Sequence, residues 1–441
     1  MSASYLLKTG LTASTATSYT VSMWVKFTKT SFPSGTPYLW SCGANGSGAQ
    51  GLYMNNSMIL SYYGHTSYGS GALSDGSLRD LSGWYHFVWS VNSGTGTFYL
   101  NGVQQSASIS NVAPLNAHGG TEMAVHTYCG GLYSTYDDIG ALMSHVHFID
   151  GTAYDASAFG ETDANGVWKI KTSPSVTYGN NGFFILKDGN SVTDQSGNSN
   201  NFTVAGGTLT NTEDNPSNVF CVLNPLSHLK GWTTTDGNTT FNSGTVTDWS
   251  SAVAGTIGAS TGKYYWEVKF TSGDAYSILG VLPLDQYWRC NKGSTTENVY
   301  NYAQNIQFDT SGSGSLRNYV SSNTTFPQVS LNDIFSFAMD MDNRKCWIGV
   351  NGVWYNSGNP ATGTNPTWDT TEFNSDWDGG FVPFTQGYYI SNSTEFKFNF
   401  GNGYFGTTAV ASAGTNASGI GIFEYDVPTG YTALSTKGLN L

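Results

Sequence analysis

Trp84-Tyr85-His86-Phe87-Val88-Trp89-Ser90-Val91, a Gly-rich turn, and then Thr97-Phe98-Tyr99-Leu100-Asn101-Gly102-Val103 spell a β-hairpin and decide the class of this chain. Bulky aromatic and β-branched residues favour a pleated surface. Asn-Gly supplies the two positive φ angles of a type I′ turn. Far downstream, Cys346-Trp347-Ile348-Gly349-Val350-Asn351-Gly352-Val353-Trp354 repeats the order of aromatic strand, Asn-Gly and Val. Working outward, Tyr19 to Phe27 alternates so that Tyr19, Val21, Met23, Val25 and Phe27 share one face, which predicts a strand buried on one side. Residues 144–149, 183–186, 264–270, 277–281 and 333–340 read as further short strands bounded by Gly, Asp or Asn.

Composition agrees with an all-β chain. Aromatic residues make up 15% and charged ones 11%, and the 54 glycines sit among many Ser, Thr and Asn. That mixture favours short strands and tight turns over helices. A single core stops growing at about 250–300 residues, so 441 residues predict two domains. The polar, turn-rich stretch from about Gly206 to Leu226, with Pro216 and Pro225, marks the boundary. We place the first domain at 1–207, a linker at 208–219 and the second domain at 220–441.

Net charge is −13 with 17 basic residues and no Lys/Arg cluster, so the footprint of a nucleic-acid or anionic-membrane binder is missing. Cys42, Cys129, Cys221, Cys290 and Cys346 are far apart and form no CxxC, which indicates buried thiols rather than a zinc cage or disulfide framework. The opening MSASYLLKTGLTAST lacks a signal-peptide core, and no later run approaches the about 18 apolar residues of a membrane span. Synthesis in a cytoplasm is expected.

The words Trp84-Tyr85-His86-Phe87, Tyr99-Leu100-Asn101-Gly102-Val103 and Asp194-Gln195-Ser196-Gly197-Asn198 resemble a laminin G-like, concanavalin A-like lectin domain over most of residues 1–205. The second half resembles a SPRY domain through Tyr264-Tyr265-Trp266-Glu267-Val268, the 333–340 strand and Gly349-Val350-Asn351-Gly352-Val353. These resemblances imply two antiparallel β-sandwiches of jelly-roll, concanavalin A-like type in tandem. The stretch from Phe148-Ile149-Asp150-Gly151 through Phe159-Gly160-Glu161 to Trp168, with Asp214-Asn215-Pro216-Ser217-Asn218-Val219-Phe220 and Leu223-Asn224-Pro225-Leu226, resembles virion structural proteins of tailed, notably marine, bacteriophages. That resemblance implies a non-catalytic virion surface protein, a capsid decoration, knob or tail-fibre component. Its implied partners are other virion subunits, copies of itself (trimers if fibre-like) and host-surface carbohydrate. The alternative is a polysaccharide hydrolase or lyase of concanavalin A-like fold.

Catalytic groups at the needed spacing are scarce. Glycosidases of this fold set acid and nucleophile at alternating strand positions; only Glu161-Thr162-Asp163 comes near that, and it reads as a surface turn. Gly401-Asn402-Gly403-Tyr404-Phe405-Gly406 fits GxGxxG but has no helix after it to receive a pyrophosphate, so it reads as a turn. His145 and His147 alternate on a strand and would face one way, as a packed pair or half a metal site. Asp188, Asn190 and Asp194 gather hard oxygen donors that suit calcium in chemical type but lack the register of an EF-hand loop, and Asp and Asn also make Asx-turns; no other cofactor is expected. The candidate ligand-binding residues are loop aromatics and their cation, Tyr287, Trp288, Arg289, Trp354, Tyr355, Trp368 and Trp377, since aromatic faces stack on sugars and anchor interfaces.

Overall fold

Strands this rich in Phe, Tyr and Trp must bury their apolar side against another sheet, and the chain does so twice. The computed structural model describes residues 5–441 apart from 13, 30–36, 44–48, 66, 118–120, 126–138, 188–190, 227–230, 248–250, 274–276, 292–298, 309–312, 318–323, 371–372, 374–376, 378, 388 and 390–391. It divides into two compact units, Met1–Asn211 and Thr212–Leu441.

In the first unit one antiparallel sheet runs, in spatial order, Phe183–Ile185, Ala141–Asp150, Tyr19–Phe27, Tyr85–Asn92, Thr95–Leu100 and Val103–Ile109. The facing sheet runs Thr203–Gly206, Tyr5–Lys8, Met123–Val125, Tyr38–Cys42, Gln50–Met54, Leu60–Tyr63 and Gly71–Ala72. Aromatic contacts bind them: Trp40 stacks on Phe148 at 5.8 Å between centroids, and Tyr62 meets Trp89 at 5.0 Å. The phenols that enter this core do not go unpaired, because Tyr19 and Tyr62 both donate to Gln50 Oε1, at 2.9 and 2.8 Å.

The second unit repeats the plan. Its larger sheet runs Thr233–Thr235, Thr240–Asn242, Glu395–Asn399, Lys263–Ser272, Ile334–Asp340, Lys345–Val350 and Val353–Trp354, with Thr432–Ala433 added parallel to Lys263–Ser272. The other runs Ser251–Ala254, Phe381–Gly387, Ile278–Pro283, Gln304–Phe308, Ser313–Arg317 and Thr324–Gln328. Trp266 bridges the sheets, stacked on Phe337 at 5.1 Å and on Phe381 at 5.8 Å.

Two expectations change. The strand Tyr19–Phe27 is buried on both faces, and residues 151–178 fold back over part of its outer face: Thr20 exchanges hydrogen bonds with Thr152 and Tyr154, and Trp168 closes over His86, which rests on Ser22 and Trp24. The alternation of His145 with His147 is broken by a bulge between Ser144 and His147, where His145 takes φ +49°. Residues 212–219 are tied into the second unit: Phe220 N–H donates to Asp214, Val219 N–H to Thr436 Oγ1, and Lys437 N–H to Asn218 Oδ1. Cys42, Cys221, Cys290 and Cys346 are free and buried, and burial pushes the Cys42 and Cys290 thiols up to about 12. Cys129 lies outside the described residues.

Candidate functional site

Among the loop aromatics singled out from the sequence, the structure brings three neighbours together. A 3-10 helix, Leu284–Asn291, carries Tyr287, Trp288 and Arg289, and a second, Val299–Tyr302, brings Tyr302 beside them. The Arg289 guanidinium lies 3.5 Å from the Tyr302 ring centroid and 4.5 Å from that of Trp288, while its Nε donates to Gln286 Oε1 at 2.6 Å. Trp288 is 46% exposed. Tyr287 is the root of the group, half-buried on apolar residues of the neighbouring sheet, with its hydroxyl taking a hydrogen bond from Asn224 Nδ2. Burial raises the Tyr287 phenol above its usual range. The result is a cation held between two rings with one indole facing solvent, a geometry suited to stacking recognition.

The other four aromatics part company with this group. Trp368 and Trp377, 3% and 1% exposed, belong to the second core and are corrected from ligand-binding to packing residues. The reason is local. Trp368 bridges to Cys346 by backbone hydrogen bonds in both directions, and Trp377 packs edge-on against Phe373 at 4.7 Å. Trp354 and Tyr355 are half-buried, against Tyr265 and Phe326.

Of the calcium candidates, Asp188 and Asn190 lie outside the described residues. Asp194 spends its carboxylate on turns: Oδ1 accepts from Phe184 N and Ser196 N, and Oδ2 from Asn200 N and Ser196 Oγ. Among the described residues no group of three His, Cys, Asp or Glu is placed to hold a metal. Glu161 lies in the short strand Gly160–Thr162, and Asp163 closes the following turn with an ion pair to Lys169 at 2.7 Å. Gly401 and Gly403 donate to Asn399 Oδ1, and the chain passes on to a small hairpin, Tyr404–Phe405 with Thr408–Ala409.

Sequence reasoning missed the chemistry buried on the outer face of one sheet in each sandwich. In the first unit, residues 151–178 form a strap. His86 lies beneath it, stacked between Trp24 at 4.6 Å and Trp168 at 5.9 Å. Trp168 Nε1 donates to His86 Nδ1 at 3.1 Å, and His86 Nε2 meets Ser22 Oγ at 2.9 Å. An indole N–H can only donate, so Nδ1 is the acceptor and the ring is neutral with its proton on Nε2. Burial holds His86 down to about 3. His147 sits on Phe184 at 3.9 Å with Nδ1 against the Tyr178 hydroxyl at 2.9 Å, and burial, then His145 and His86, holds it well below the ordinary range.

In the second unit the outer face hides an acid. The Glu267 carboxylate accepts from Glu424 N (2.8 Å), Tyr425 N (2.8 Å), Tyr265 Oη (2.9 Å) and Asn399 Nδ2 (3.2 Å), which pins the segment around 423–427 to the sheet. Burial pushes this carboxyl up to about 7 against the pull of those four donors. The sequence signal for both sites was present: a polar or charged residue on the outward face of a strand, followed later by an aromatic-rich, turn-rich segment able to cover it.

Residues 2–158 match the family model described as the concanavalin A-like lectin/glucanases superfamily, a laminin G type. The first unit carries a concanavalin A-like domain. Similar solved structures include the TRIM65 PSpry domain, at TM-score 0.29 and 11% identity over 41% of this chain and 91% of that one. The SPRY domain of human HERC1 gives 0.28 and 14% over 40% and 96%. No curated protein matches the chain. Among the described residues no helix is long and apolar enough to cross a membrane.

Proposed function

We propose that the chain is a non-catalytic binding protein of a bacteriophage particle, exposed on the virion as a capsid decoration, knob or tail-fibre component. It contacts neighbouring virion subunits and host-surface glycans. The observation that carries the binding reading is the Arg289 guanidinium set against the rings of Tyr302 and the solvent-facing Trp288, because Trp, Tyr and Arg are the residue types enriched among those that dominate binding energy. The concanavalin A-like first unit supports it, as does the use of His86, His147 and Glu267 to hold cover segments rather than to face solvent. The virion setting is supported by the likeness of residues 148–168 and 214–226 to tailed-phage structural proteins.

The test has two arms. Antibody to this chain is expected to label intact particles, and a glycan array probed with the chain is expected to lose signal about tenfold or more on Trp288→Ala, the size of a central interface residue. Unlabelled particles overturn the virion setting; binding unchanged by Trp288→Ala overturns the site. Incubation with a polysaccharide panel is expected to release no reducing ends or unsaturated products, and their appearance would overturn the non-catalytic reading.

A further inference from the structure

We propose that the strap at residues 151–178 is an acid-released cover, latched at neutral pH by the Trp168 to His86 hydrogen bond and freed when His86 takes a second proton. The strap can open by itself. It leaves the Ala141–Asp150 strand at Gly151 (φ +92°) and returns at Gly179 (φ +68°), and its ends meet where Asp150 N–H donates to Tyr178 O at 2.9 Å. Such a closed loop can lift without dismantling the sandwich beneath it.

The latch depends on one protonation state. Nδ1 of His86 is the acceptor for the indole N–H, so a proton there sets two donors face to face. The titratable groups on the elements packed about the ring are Tyr85 on its own strand, Lys26 on the paired strand of the same sheet, His145, His147 and Asp150 on the Ala141–Asp150 strand, Tyr99 on the hairpin, and Tyr154, Asp155, Glu161, Asp163, Lys169, Lys171 and Tyr178 on the strap. Asp155 caps Ser157, Asp163 pairs with Lys169, Asp150 accepts from Asn181 and Ser14, Lys171 donates to Ser157 O, and Glu161 is exposed. Neither His86 nor His147 hydrogen-bonds a carboxylate among the described residues. His147 is the second, softer element, because the Tyr178 hydroxyl can turn from donor to acceptor.

The sign follows from burial. The closed strap holds His86 near 3 against an ordinary 6.5, so the open form binds the extra proton and opening gains from pH 6.5 downward until about 3. Each histidine contributes about tenfold per pH unit. Between pH 7.5 and 5.0 the opening constant rises about 30-fold from His86 alone, and further if His147 follows.

Hydrogen exchange of the full chain, read by peptide and corrected for the intrinsic pH dependence of exchange, measures this. Peptides from 151–178 are expected to lose protection on acidification while those from Gln50–Met54 and Leu60–Tyr63 keep theirs. His86→Gln is expected to flatten the dependence. Trp168→Phe keeps an aromatic cover without the N–H, so it is expected to raise opening at pH 7.5 and weaken the acid response. Strap exchange that ignores pH, strap and core strands opening together, or a Trp168→Phe profile parallel to the parent would each overturn the proposal.

Discussion

Asn101 and Asn351 turn equivalent hairpins in the two units, and the segments that cover those hairpins differ. His86 N–H donates to Asn101 Oδ1 at 2.8 Å and receives Asn101 N–H on its own carbonyl at 2.9 Å; Ile334 makes the same pair of bonds with Asn351, both at 2.9 Å. The φ angles agree, +48° and +81° for Asn101-Gly102 against +50° and +79° for Asn351-Gly352. Each glycine lies beneath an aromatic ring from a later segment, Trp168 in one unit and Tyr425 in the other. Under the first cover are neutral imidazoles; under the second is a carboxyl. Turn chemistry therefore sets the hairpin, whereas the cover segment decides what the outer face of the sheet can hold.

The widest break between the units should come from removing the acid. Glu267→Ala leaves Glu424 N and Tyr425 N without their acceptor and takes one acceptor from Tyr265 Oη and Asn399 Nδ2, which keep Ser336 Oγ and Ile422 O, and losing one member of such a buried network costs about 3–5 kcal/mol. Denaturant unfolding of the full chain, with exchange read unit by unit, should place the whole loss in the second unit. A loss under about 1 kcal/mol would mean that Glu267 does not pin the 423–427 segment.

Opposite pH signs come next. Glu267 has a folded-state value raised from 4.5 to about 7, so the folded second unit binds the proton more tightly; its contribution is fully present below 4.5 and is lost as pH rises through about 7. The change amounts to about 3 kcal/mol at most. The first unit behaves in reverse, with its contribution fully present above 6.5 and lost as pH falls from 6.5 toward about 3. Unit-resolved exchange across pH 4.5–7.5 is expected to show protection moving in opposite directions on the two outer faces. Glu267→Gln should remove the slope in the second unit only, and a shared slope would erase the contrast.

The core was legible because it obeys strict period two. Tyr19, Val21, Met23, Val25 and Phe27 point inward as alternation requires, and Asn-Gly marks both hairpins without ambiguity. The outer faces were not legible, since Thr20 and Ser22 look solvent-facing until the strap is known to return over them. The bulge at His145 shifts alternation by one residue, and nothing in Ser-His-Val-His announces it. Trp368 and Trp377 failed as loop aromatics for a related reason: polar neighbours place the chain at the surface, but a single Trp can still turn inward and bury its ring. Tyr287, Trp288 and Arg289 are adjacent in sequence, whereas Tyr302 joined them only through the fold.

The finest contrast lies in the two turn glycines. A Cβ on Gly102 would come within 2.5 Å of the Trp168 ring, and one on Gly352 within 2.9 Å of the Tyr425 ring. Both positions carry the same left-handed penalty, about 1–2 kcal/mol for a non-glycine residue, so any excess of Gly102→Ala over Gly352→Ala reports the clash. Trp168 has little room to yield, because its Nε1 is held by His86 and the same edge of the indole lies against Gly160, where a Cβ would stand 2.4 Å from the ring. Tyr425 is half-exposed and its side chain can swing outward. Gly102→Ala is therefore expected to cost about 2–4 kcal/mol, combining the backbone term with overpacking, and Gly352→Ala about 1–2 kcal/mol. Adding Trp168→Ala to Gly102→Ala supplies the check, since in that background the glycine substitution should cost only the backbone term. If the double-mutant cycle shows no coupling, Trp168 is not wedged against the hairpin, and the two covers differ in the charge they bury but not in how tightly they are held.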